Sequence, residues 1–471
     1  MRRPPMRRST SGTRLTARHA RFSLAAHPQA KHAVLRGLLV VGVLALALRA
    51  ALGSLSFMLP GGDILGWSRL PVAHCQVCNP AIITHTPNHS LTMDDYAALL
   101  TQRLSLSDKL GQLLLVQFPG TAATPDAIQM IANQGAGGVL LYAENIQSAS
   151  QIRSLTAQLQ QMASIPLIIA TDQEGGPVNR LISILGPLPA AASLTTPALA
   201  EQQGAQDAGN LHSFGFNLDL APVVDVGTAN PQLWGRTFGS NPQQVATLAG
   251  AYLAGLQQSG EITGTLKHFP GLGATTTDPH IGLPILSRSR ADWENIDLAP
   301  YRILLQQQDV RAVLVTHELI PAVDPQLPAS LSPALVTGVL RRELGFNGVV
   351  ITDSLYMGAL NSRWSLPEAA VLAVAAGADL LIGPYSPETV RETEDALQQA
   401  LDQGILTKTQ IDQAVQRDLK LKLQMRLIPM PQSTTQAAQA SQNAYPSGSS
   451  GPSRPVQSAQ LPLLAYKETY A

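Results

Sequence analysis

The sequence predicts an α/β protein whose main unit is a (β/α)8 barrel of the TIM type. Eight short aliphatic runs recur at regular intervals between 112 and 383. They are almost continuously apolar, as in parallel strands buried on both faces, and the segments between them carry apolar residues at helical spacing. An open, doubly wound sheet is the alternative, but eight regular strand–helix units favour a closed barrel.

Each predicted strand is followed by a predicted helix. The segments "SPALVTGVLRRELG" (332–345) and "PEAAVLAVAAGA" (367–378) are typical examples. Their apolar residues fall three or four positions apart, so they form one helical face that can pack on the barrel. The predicted strands are 112–118, 137–142, 166–172, 217–225, 264–269, 312–318, 348–354 and 378–383.

The start of the chain predicts membrane association. Residues 1–36 are basic, and no Asp or Glu occurs before Asp63. Residues 37–59 are apolar except for Arg49, a length that can cross a bilayer. Because positive charge stays on the cytoplasmic side, we expect a cytoplasmic 1–36, a single-pass anchor at 37–59 and an extracellular remainder. The main alternative is a signal peptide with its apolar part at 37–48 and a secreted product; a cytosolic protein is the third.

Composition divides the remainder into three parts. Residues 60–95 bear Pro, His and Gly without period, which predicts a linker. This linker contains both cysteines, Cys75 and Cys78, for which a small local disulfide is expected and no chemistry is assigned. Residues 96–430 hold the predicted barrel. Residues 431–471 are rich in Ser, Gln, Ala and Pro, a composition that buries too little apolar surface to order itself, so a disordered tail is expected.

The distribution of charge excludes one class of partner. Ten of the 32 basic residues fall between Arg2 and Arg49, which leaves 22 basic against 32 acidic residues in the remainder. Nucleic-acid-binding domains carry a basic surface, so an acidic body indicates that no nucleic acid is bound. The sequence gives no indication of the oligomeric state.

Ionisable residues accumulate at the carboxyl ends of the predicted strands, the face on which barrel active sites form. A purely structural set would be scattered over both ends of the barrel, capping helices and turns. The residues concerned are Asp172, Glu174, Asp225, Lys267, His268, His317, Glu318 and Asp353.

Several motifs resemble those of glycoside hydrolase family 3. They are "DQEGG" (172–176), "RTFG" (236–239), "KHFPGLG" (267–273), "DPH" (278–280) and "ITDSLYMGAL" (351–360). The chain is most similar to the single-barrel β-N-acetylhexosaminidase branch, whose hallmark is an Asp-x-His dyad on the loop after the lysine–histidine strand. The resemblance covers roughly 104–426 and implies a retaining exo-enzyme that removes terminal β-linked N-acetylglucosamine from cell-wall (peptidoglycan) fragments, without metal or organic cofactor.

The resemblance implies that Asp353 is the nucleophile that forms a covalent glycosyl-enzyme. The position suits that role, because a buried strand end mounts a carboxylate rigidly at the anomeric carbon. The structural alternative is that Asp353 caps the following helix.

His280 and Asp278 match the family dyad and are implied to be the acid/base pair. A group that titrates near neutrality can protonate the leaving oxygen and later activate water, and a carboxylate fixes the imidazole tautomer. Pro279 departs from the family pattern, where a small residue commonly separates the pair. We expect it to hold Asp278 in an extended conformation, with the side chains of Asp278 and His280 on the same side.

The remaining matched residues are implied to bind the terminal sugar. Charged groups suit a ligand rich in hydroxyls, because charge-assisted hydrogen bonds are strong and directional. The alternative is an internal salt-bridge network at the barrel mouth, and Asp225 and His317 stay unassigned. The implied binding residues are Asp172, Arg180, Arg236, Lys267 and His268.

Other functions stay open at this point. A β-glucosidase or β-xylosidase of the same family commonly takes its acid/base from a second domain, which the low-complexity tail does not predict. A substrate-assisted hexosaminidase would pair adjacent carboxylates near one strand end instead of the dyad. A metal-dependent barrel hydrolase would use His268, His280, His317 and Asp353, but no His-x-His follows the first strand. A non-catalytic surface sugar-binding protein is the fourth possibility.

Overall fold

The computed structural model describes residues 91–431. The predicted anchor at 37–59, Cys75, Cys78, most of the predicted linker and nearly all of the predicted tail lie outside this range. Within 91–431, no helix combines the length and apolar character needed to cross a membrane.

The described chain forms a closed parallel barrel. Eight parallel strands pair in chain order, with the last strand beside the first, and a bridge between Ile351 and Leu380 joins the two ends of this order. Thr352 N donates to Leu380 O at 2.9 Å across this seam. The strands are β1 Leu114–Val116, β2 Gly138–Leu140, β3 Ile168–Thr171, β6 Leu218–Asp219, β7 Thr263–Phe269, β8 Ala312–Val315, β9 Val349–Thr352 and β10 Leu381–Ile382, and a small antiparallel hairpin after β3 consists of β4 Gln173–Gly175 and β5 Val178–Asn179.

Helices follow the strands as a (β/α)8 barrel requires, so the predicted fold class is confirmed for the barrel. The segment predicted as a helix at 332–345 is π-helical over Ala334–Glu343, after β8. The α-helices are α1 Met93–Arg103, α2 Leu106–Gln112, α3 Pro125–Ile128, α4 Ala149–Met162, α5 Ile182–Leu185, α6 Pro197–Ser213, α7 Pro242–Gln257, α8 Arg290–Asn295, α9 Ala299–Gln307, α10 Gly358–Asn361, α11 Leu366–Ala376, α12 Pro387–Asp402 and α13 Lys408–Gln424.

Each predicted strand overlaps one barrel strand; seven observed strands are shorter than predicted, whereas β7 begins at Thr263, one residue before its predicted run. The aliphatic runs are continuous because both faces of each strand are buried. In β8, Val313 and Val315 belong to the layer between strands and helices, whereas Ala312 and Leu314 belong to a separate cluster inside the barrel. Lys267 and His268 lie within β7, whereas the polar ends of the other predicted runs leave the sheet and begin the loops of the carboxyl-terminal face.

Helix α1 begins at Met93, three residues before the predicted start of the barrel domain. The side chain of Thr92 accepts from Asp95 N, and the carboxylate of Asp95 accepts from Thr92 N, which satisfies two donors that the helix start would leave free. Lys420 of α13 pairs with Asp94 at 2.7 Å. The last helix of the barrel is thus joined to the first.

Candidate active site

Lys267, near the end of β7, is the centre of a buried ion-pair network. Its Nζ lies 2.6 Å from Asp172 Oδ1 and 2.6 Å from Glu174 Oε1, and only 2% of its side chain is exposed. Burial alone would lower the pKa of Lys267, but the charges of Asp172 and Glu174 outweigh it and raise the pKa above its usual value. The ammonium group therefore keeps its charge at neutral pH and holds both carboxylates in place.

Glu174, in the hairpin after β3, joins Lys267 to Arg236. Arg236 donates from Nε and from Nη2 to the two oxygens of Glu174, each at 2.7 Å, the fork geometry that suits a carboxylate. Burial would raise the pKa of Glu174, yet the charges of Lys267 and Arg236 hold it well below its usual value. The sequence indicated Glu174 through its place in "DQEGG", but no role was assigned to it.

Arg180 connects Asp172 to an aromatic residue of the strand β2 loop. Its Nη2 donates to Asp172 Oδ2 at 3.3 Å, and its guanidinium carbon lies 5.4 Å from the centre of the Tyr142 ring, within cation–π range. Gln117 Nε2 donates to Tyr142 Oη at 3.1 Å. Burial raises the pKa of Tyr142, and the charges of Asp172 and Asp353 add to the effect. The phenol is therefore protonated and within electrostatic reach of both carboxylates.

His268, next to Lys267, is held by a carboxylate that the sequence left unassigned. Its Nδ1 donates to Asp225 Oδ2 at 2.6 Å, and Leu272 N donates to Asp225 Oδ1 at 2.6 Å. A guanidinium has no acceptor, so the 3.3 Å contact between Arg236 Nη2 and His268 Nε2 makes Nε2 the acceptor. This assigns the tautomer with hydrogen on Nδ1 and fixes the ring at the barrel mouth.

Asp278 and His280 form the predicted pair across a turn, so the extended path expected between them is wrong, whereas the extended conformation expected of Asp278 itself stays a prediction. Ile281 N and Gly282 N donate to Asp278 O at 3.0 and 3.1 Å, and Pro279 occupies the second turn position, where its fixed φ is favourable. Asp278 Oδ1 accepts from His280 N at 2.9 Å and from His280 Nδ1 at 2.7 Å. An aspartate that accepts a main-chain N–H two residues on is a common turn device, and here it also orients the imidazole.

The turn that holds His280 is docked on the loop after β9. Gly358 N donates to His280 O at 3.2 Å, and Ala359 N donates to Pro279 O at 3.0 Å. A Cβ atom on Gly358 would lie 2.4 Å from His280 O, so only glycine permits this approach. The side chain of His280 is 67% exposed, and since Nδ1 is bound to Asp278, its Nε2 is the ring nitrogen left for a ligand to contact.

Asp353, directly after β9, presents a carboxylate held from two sides. Thr316 Oγ1 donates to Oδ2 at 3.2 Å, and Ser354 N donates to Oδ1 at 2.9 Å. The alternative that Asp353 caps the following helix is wrong, because Gly358–Asn361 begins after Met357 at its N-cap position. Asp353 therefore has no helix-capping task.

His317, after β8, supports the main chain next to Asp353. A carbonyl only accepts, so His317 Nε2 donates to Ser354 O at 2.8 Å, and Nδ1 lies 2.7 Å from Ser330 Oγ. Burial lowers the pKa of His317; the charge of Asp353 opposes this shift, and the charge of His280 adds to it. His317 is thus a buried neutral imidazole that braces the Asp353 loop and lies within electrostatic reach of His280.

Gln232 connects the ion-pair network to the Asp278–His280 pair. Arg236 Nη1 donates to Gln232 O at 2.9 Å, and Gln232 Nε2 donates to Asp278 Oδ2 at 2.8 Å. The sequence gave no signal for Gln232, because it stands outside every matched motif. Through Glu174 and Arg236, a continuous set of contacts runs from Lys267 to the dyad.

The predicted site residues thus gather on one face of the barrel in two groups. The internal salt-bridge network that the sequence left open as an alternative is present, and it joins the residues implied to bind sugar through Glu174, which was not among them. In residues 91–431, no three His, Cys, Asp or Glu side chains group as a metal site would require. The network contains Asp172, Arg180, Arg236, Lys267 and His268, and the second group contains Asp353, Asp278 and His280.

Residues 105–421 match the glycosyl hydrolase family 3 N-terminal domain. A β-hexosaminidase of Alkalilimnicola ehrlichii is 34% identical over 287 residues, which cover 59% of this chain and 82% of that protein. A β-hexosaminidase of Stenotrophomonas maltophilia is 35% identical over 295 residues, which cover 61% of this chain and 87% of that protein.

Solved structures give the same result. A family 3 β-N-acetylglucosaminidase of Paenibacillus superposes with a TM-score of 0.66 at 35% identity, over 70% of this chain and 64% of that longer chain. A family 3 glycosyl hydrolase of Mycobacterium smegmatis superposes with a TM-score of 0.63 at 34% identity, over 68% of this chain and 98% of that chain. With two thirds of its length matched, the chain belongs to glycosyl hydrolase family 3 and is a glycoside hydrolase.

Proposed function

We propose that this enzyme is a retaining exo-β-N-acetylhexosaminidase that removes terminal β-linked N-acetylglucosamine. The observation that carries the proposal is the Asp278–His280 pair. Its imidazole is oriented through Nδ1, at 2.7 Å from Asp278, while Nε2 is free, and its turn is docked on the loop that follows Asp353. An acid/base and a nucleophilic carboxylate on adjoining loops are what a retaining glycosidase requires.

The proposed reaction has two steps. In the first, a carboxylate oxygen of Asp353 forms a bond to the anomeric carbon while the glycosidic bond breaks, and protonated His280 gives its Nε2 proton to the leaving oxygen. In the second, neutral His280 takes a proton from water, whose oxygen attacks the anomeric carbon and frees Asp353. Asp278 stabilises the imidazolium formed at that point.

The ion-pair network is proposed to hold the terminal sugar. Asp172 and Arg180 are partly exposed at their side chains, by 15% and 30%, whereas Lys267 and Glu174 are almost fully buried. Asp172 and Arg180 can therefore contact sugar hydroxyls, while the buried Lys267 and Glu174 hold them in position. Because these charges are already paired and oriented, little reorganisation is needed when the sugar enters.

Relatives support the choice of substrate. The two bacterial proteins described above are named β-hexosaminidases, and the Paenibacillus structure is named a β-N-acetylglucosaminidase. Cell-wall (peptidoglycan) fragments are the proposed natural source of the sugar. Another similar structure, at 27% identity and a TM-score of 0.65, is named a β-glucoside phosphorylase, so glucosides are the comparison substrate.

We expect purified enzyme to hydrolyse an aryl β-N-acetylglucosaminide at least about a hundredfold faster, in kcat/KM, than the matching aryl β-glucoside. A site built to bond the acetamido group loses those contacts with glucose and leaves its own polar groups unpaired. The two substrates share one leaving group, so its chemistry cancels in the ratio. Equal rates, or faster hydrolysis of the glucoside, would contradict the proposed specificity.

We also propose an anchor at 37–59 that exposes the barrel outside the cytoplasmic membrane. The basic residues 1–36 and the apolar run support this topology. The protein is expected to stay in membrane fractions through salt and carbonate washes, and protease added to intact cells should release the barrel. Release by carbonate with a shortened start would indicate a cleaved signal instead, and recovery in the cytosol would exclude both topologies.

A further inference from the structure

Exposed aromatic side chains occur on only one face of the described barrel. Within 91–431, three aromatic residues have exposed side chains: Trp234 (79%), Tyr356 (53%) and Tyr385 (41%). They lie on the loops that follow β6, β9 and β10, so all three are at the carboxyl-terminal face, where the candidate active site lies. Large exposed apolar groups that cluster at one place mark a binding surface more often than isolated ones do.

Tyr356 and Tyr385 form a fixed pair. Their ring centres are 4.8 Å apart at an interplanar angle of 76°, and their hydroxyl oxygens are 2.8 Å apart. The edge-to-face contact and the hydrogen bond hold the two rings as a corner. An exposed pair that is already rigid loses little conformational freedom when a ligand packs on it.

The loop that carries Tyr356 begins at Asp353, the proposed nucleophile, and contacts the turn that holds His280, the proposed acid/base. Tyr356 follows Asp353 by three residues, a span of at most about 10 Å in an extended chain. Two residues further on, Gly358 N donates to His280 O at 3.2 Å. Tyr356 is thus on the short segment between the proposed nucleophile and the contact with the acid/base turn.

Tyr385 is joined to the same site from the other side. Pro384 O accepts from Gln117 N at 3.0 Å, and the side chain of Gln117 donates to Tyr142, whose ring lies under Arg180. On the opposite side, Leu355 N donates to Ile382 O at 2.8 Å, which ties the loop of Tyr356 to the start of the Tyr385 loop. The corner is therefore built from both loops at the rim of the site.

We propose that Tyr356 and Tyr385 form the binding wall for the leaving-group saccharide, an inference that rests on the proposed function. A pyranose ring presents apolar C–H groups on one face and hydroxyls around its edge. The corner offers an aromatic ring face to the C–H groups and two phenol oxygens to the sugar hydroxyls. Tyrosine is favoured in binding sites because it combines an apolar ring with a polar tip. The neighbouring sugar of an oligosaccharide must pass this rim when the terminal sugar is bound inside.

Two substrates distinguish an effect on this wall from an effect on the site that binds the terminal sugar. β-N-acetylglucosaminyl fluoride has a leaving group too small to reach the wall, whereas the β-1,4-linked trisaccharide of N-acetylglucosamine places two sugars beyond the scissile bond. Tyr356→Ala and Tyr385→Ala are each expected to lower kcat/KM for the trisaccharide about tenfold, the worth of one aromatic contact, and to change kcat/KM for the fluoride by less than about twofold. Tyr356→Phe with Tyr385→Phe keeps both rings and should lose only about twofold on the trisaccharide.

Ile405→Ala is the matched control, because Ile405 is 55% exposed on the loop between α12 and α13. Ile405→Ala should leave kcat/KM for both substrates unchanged. Unaltered trisaccharide kinetics in the two alanine variants would overturn the proposed wall, and so would an equal loss on both substrates, which would mean that the rings only support the loop of Asp353. Failure of the unsubstituted enzyme on both substrates would instead refute the proposed hexosaminidase function, and the wall with it.

Discussion

Replacement of Asp353 by asparagine is expected to lower kcat on aryl N-acetylglucosaminides by about four orders of magnitude. The amide keeps an oxygen that can accept from Ser354 N, as Oδ1 now does at 2.9 Å, so the local structure should persist. What is lost is the nucleophile, because an amide oxygen is a poor one. Steady-state kinetics, with circular dichroism to verify the fold, measure the effect.

Asp309→Asn is a suitable control for the same chemical change. Asp309 precedes β8 at the opposite end of the barrel, its side chain is 63% exposed, and it pairs with Arg311 at 2.7 Å. This substitution should leave kcat within about twofold, since exposed ion pairs contribute little. Comparable activity of the Asp353→Asn and unsubstituted enzymes would remove Asp353 from the reaction.

Replacement of His280 by alanine should slow the enzyme in a way that depends on the leaving group. Substrates with poor leaving groups need protonation and should lose about 10³-fold, whereas activated aryl glycosides, whose departure needs little protonation, should lose much less in the first step. Added azide or formate should restore turnover of the activated substrates, because either anion attacks the glycosyl-enzyme without a base. The measurement is a series of aryl leaving groups of graded acidity.

His212→Ala is the matched control for this series. His212 lies in the last turn of α6 at the far end of the barrel, is 56% exposed and lies 3.6 Å from Glu261, so it is also an exposed histidine with a carboxylate neighbour. It should show no dependence on the leaving group. If the His280→Ala enzyme lost the same factor in rate on substrates with good and poor leaving groups, and anions did not restore it, His280 would be a sugar-binding residue. The proton would then come from another group.

The barrel could be predicted because its signal is local. Each strand is an aliphatic run buried on both sides, and a run such as 312–318 carries that signal within seven residues; β8 occupies Ala312–Val315 inside it. The turn at Asp278 was not predicted, although Asp followed by Pro is a favourable start for one. Proline restricts the residue before it, which suggests an extended segment. The hydrogen bonds that Asp278 O accepts from Ile281 N and Gly282 N close a turn instead.

The pairing within the site could be predicted only in part. Motifs marked Lys267 and Arg236, but the contact that joins them is made by Glu174, which stands 62 residues before Arg236. Gln232 was missed because a glutamine in a loop has no distinctive pattern, and its role follows only from the 2.8 Å bond to Asp278. Such partners are set by how the loops of different strands meet, which a sequence does not display.

The covalent glycosyl-enzyme can be trapped, and the residue that carries the sugar can then be identified. With 5-fluoro-N-acetylglucosaminyl fluoride, the fluoride leaving group favours formation of the glycosyl-enzyme and the ring fluorine slows its hydrolysis, so the intermediate should accumulate. We expect the intact mass to increase by one fluorosugar and the modified peptide to carry it on Asp353. An adduct on another carboxylate, or inactivation and turnover without any adduct, would contradict the proposed mechanism.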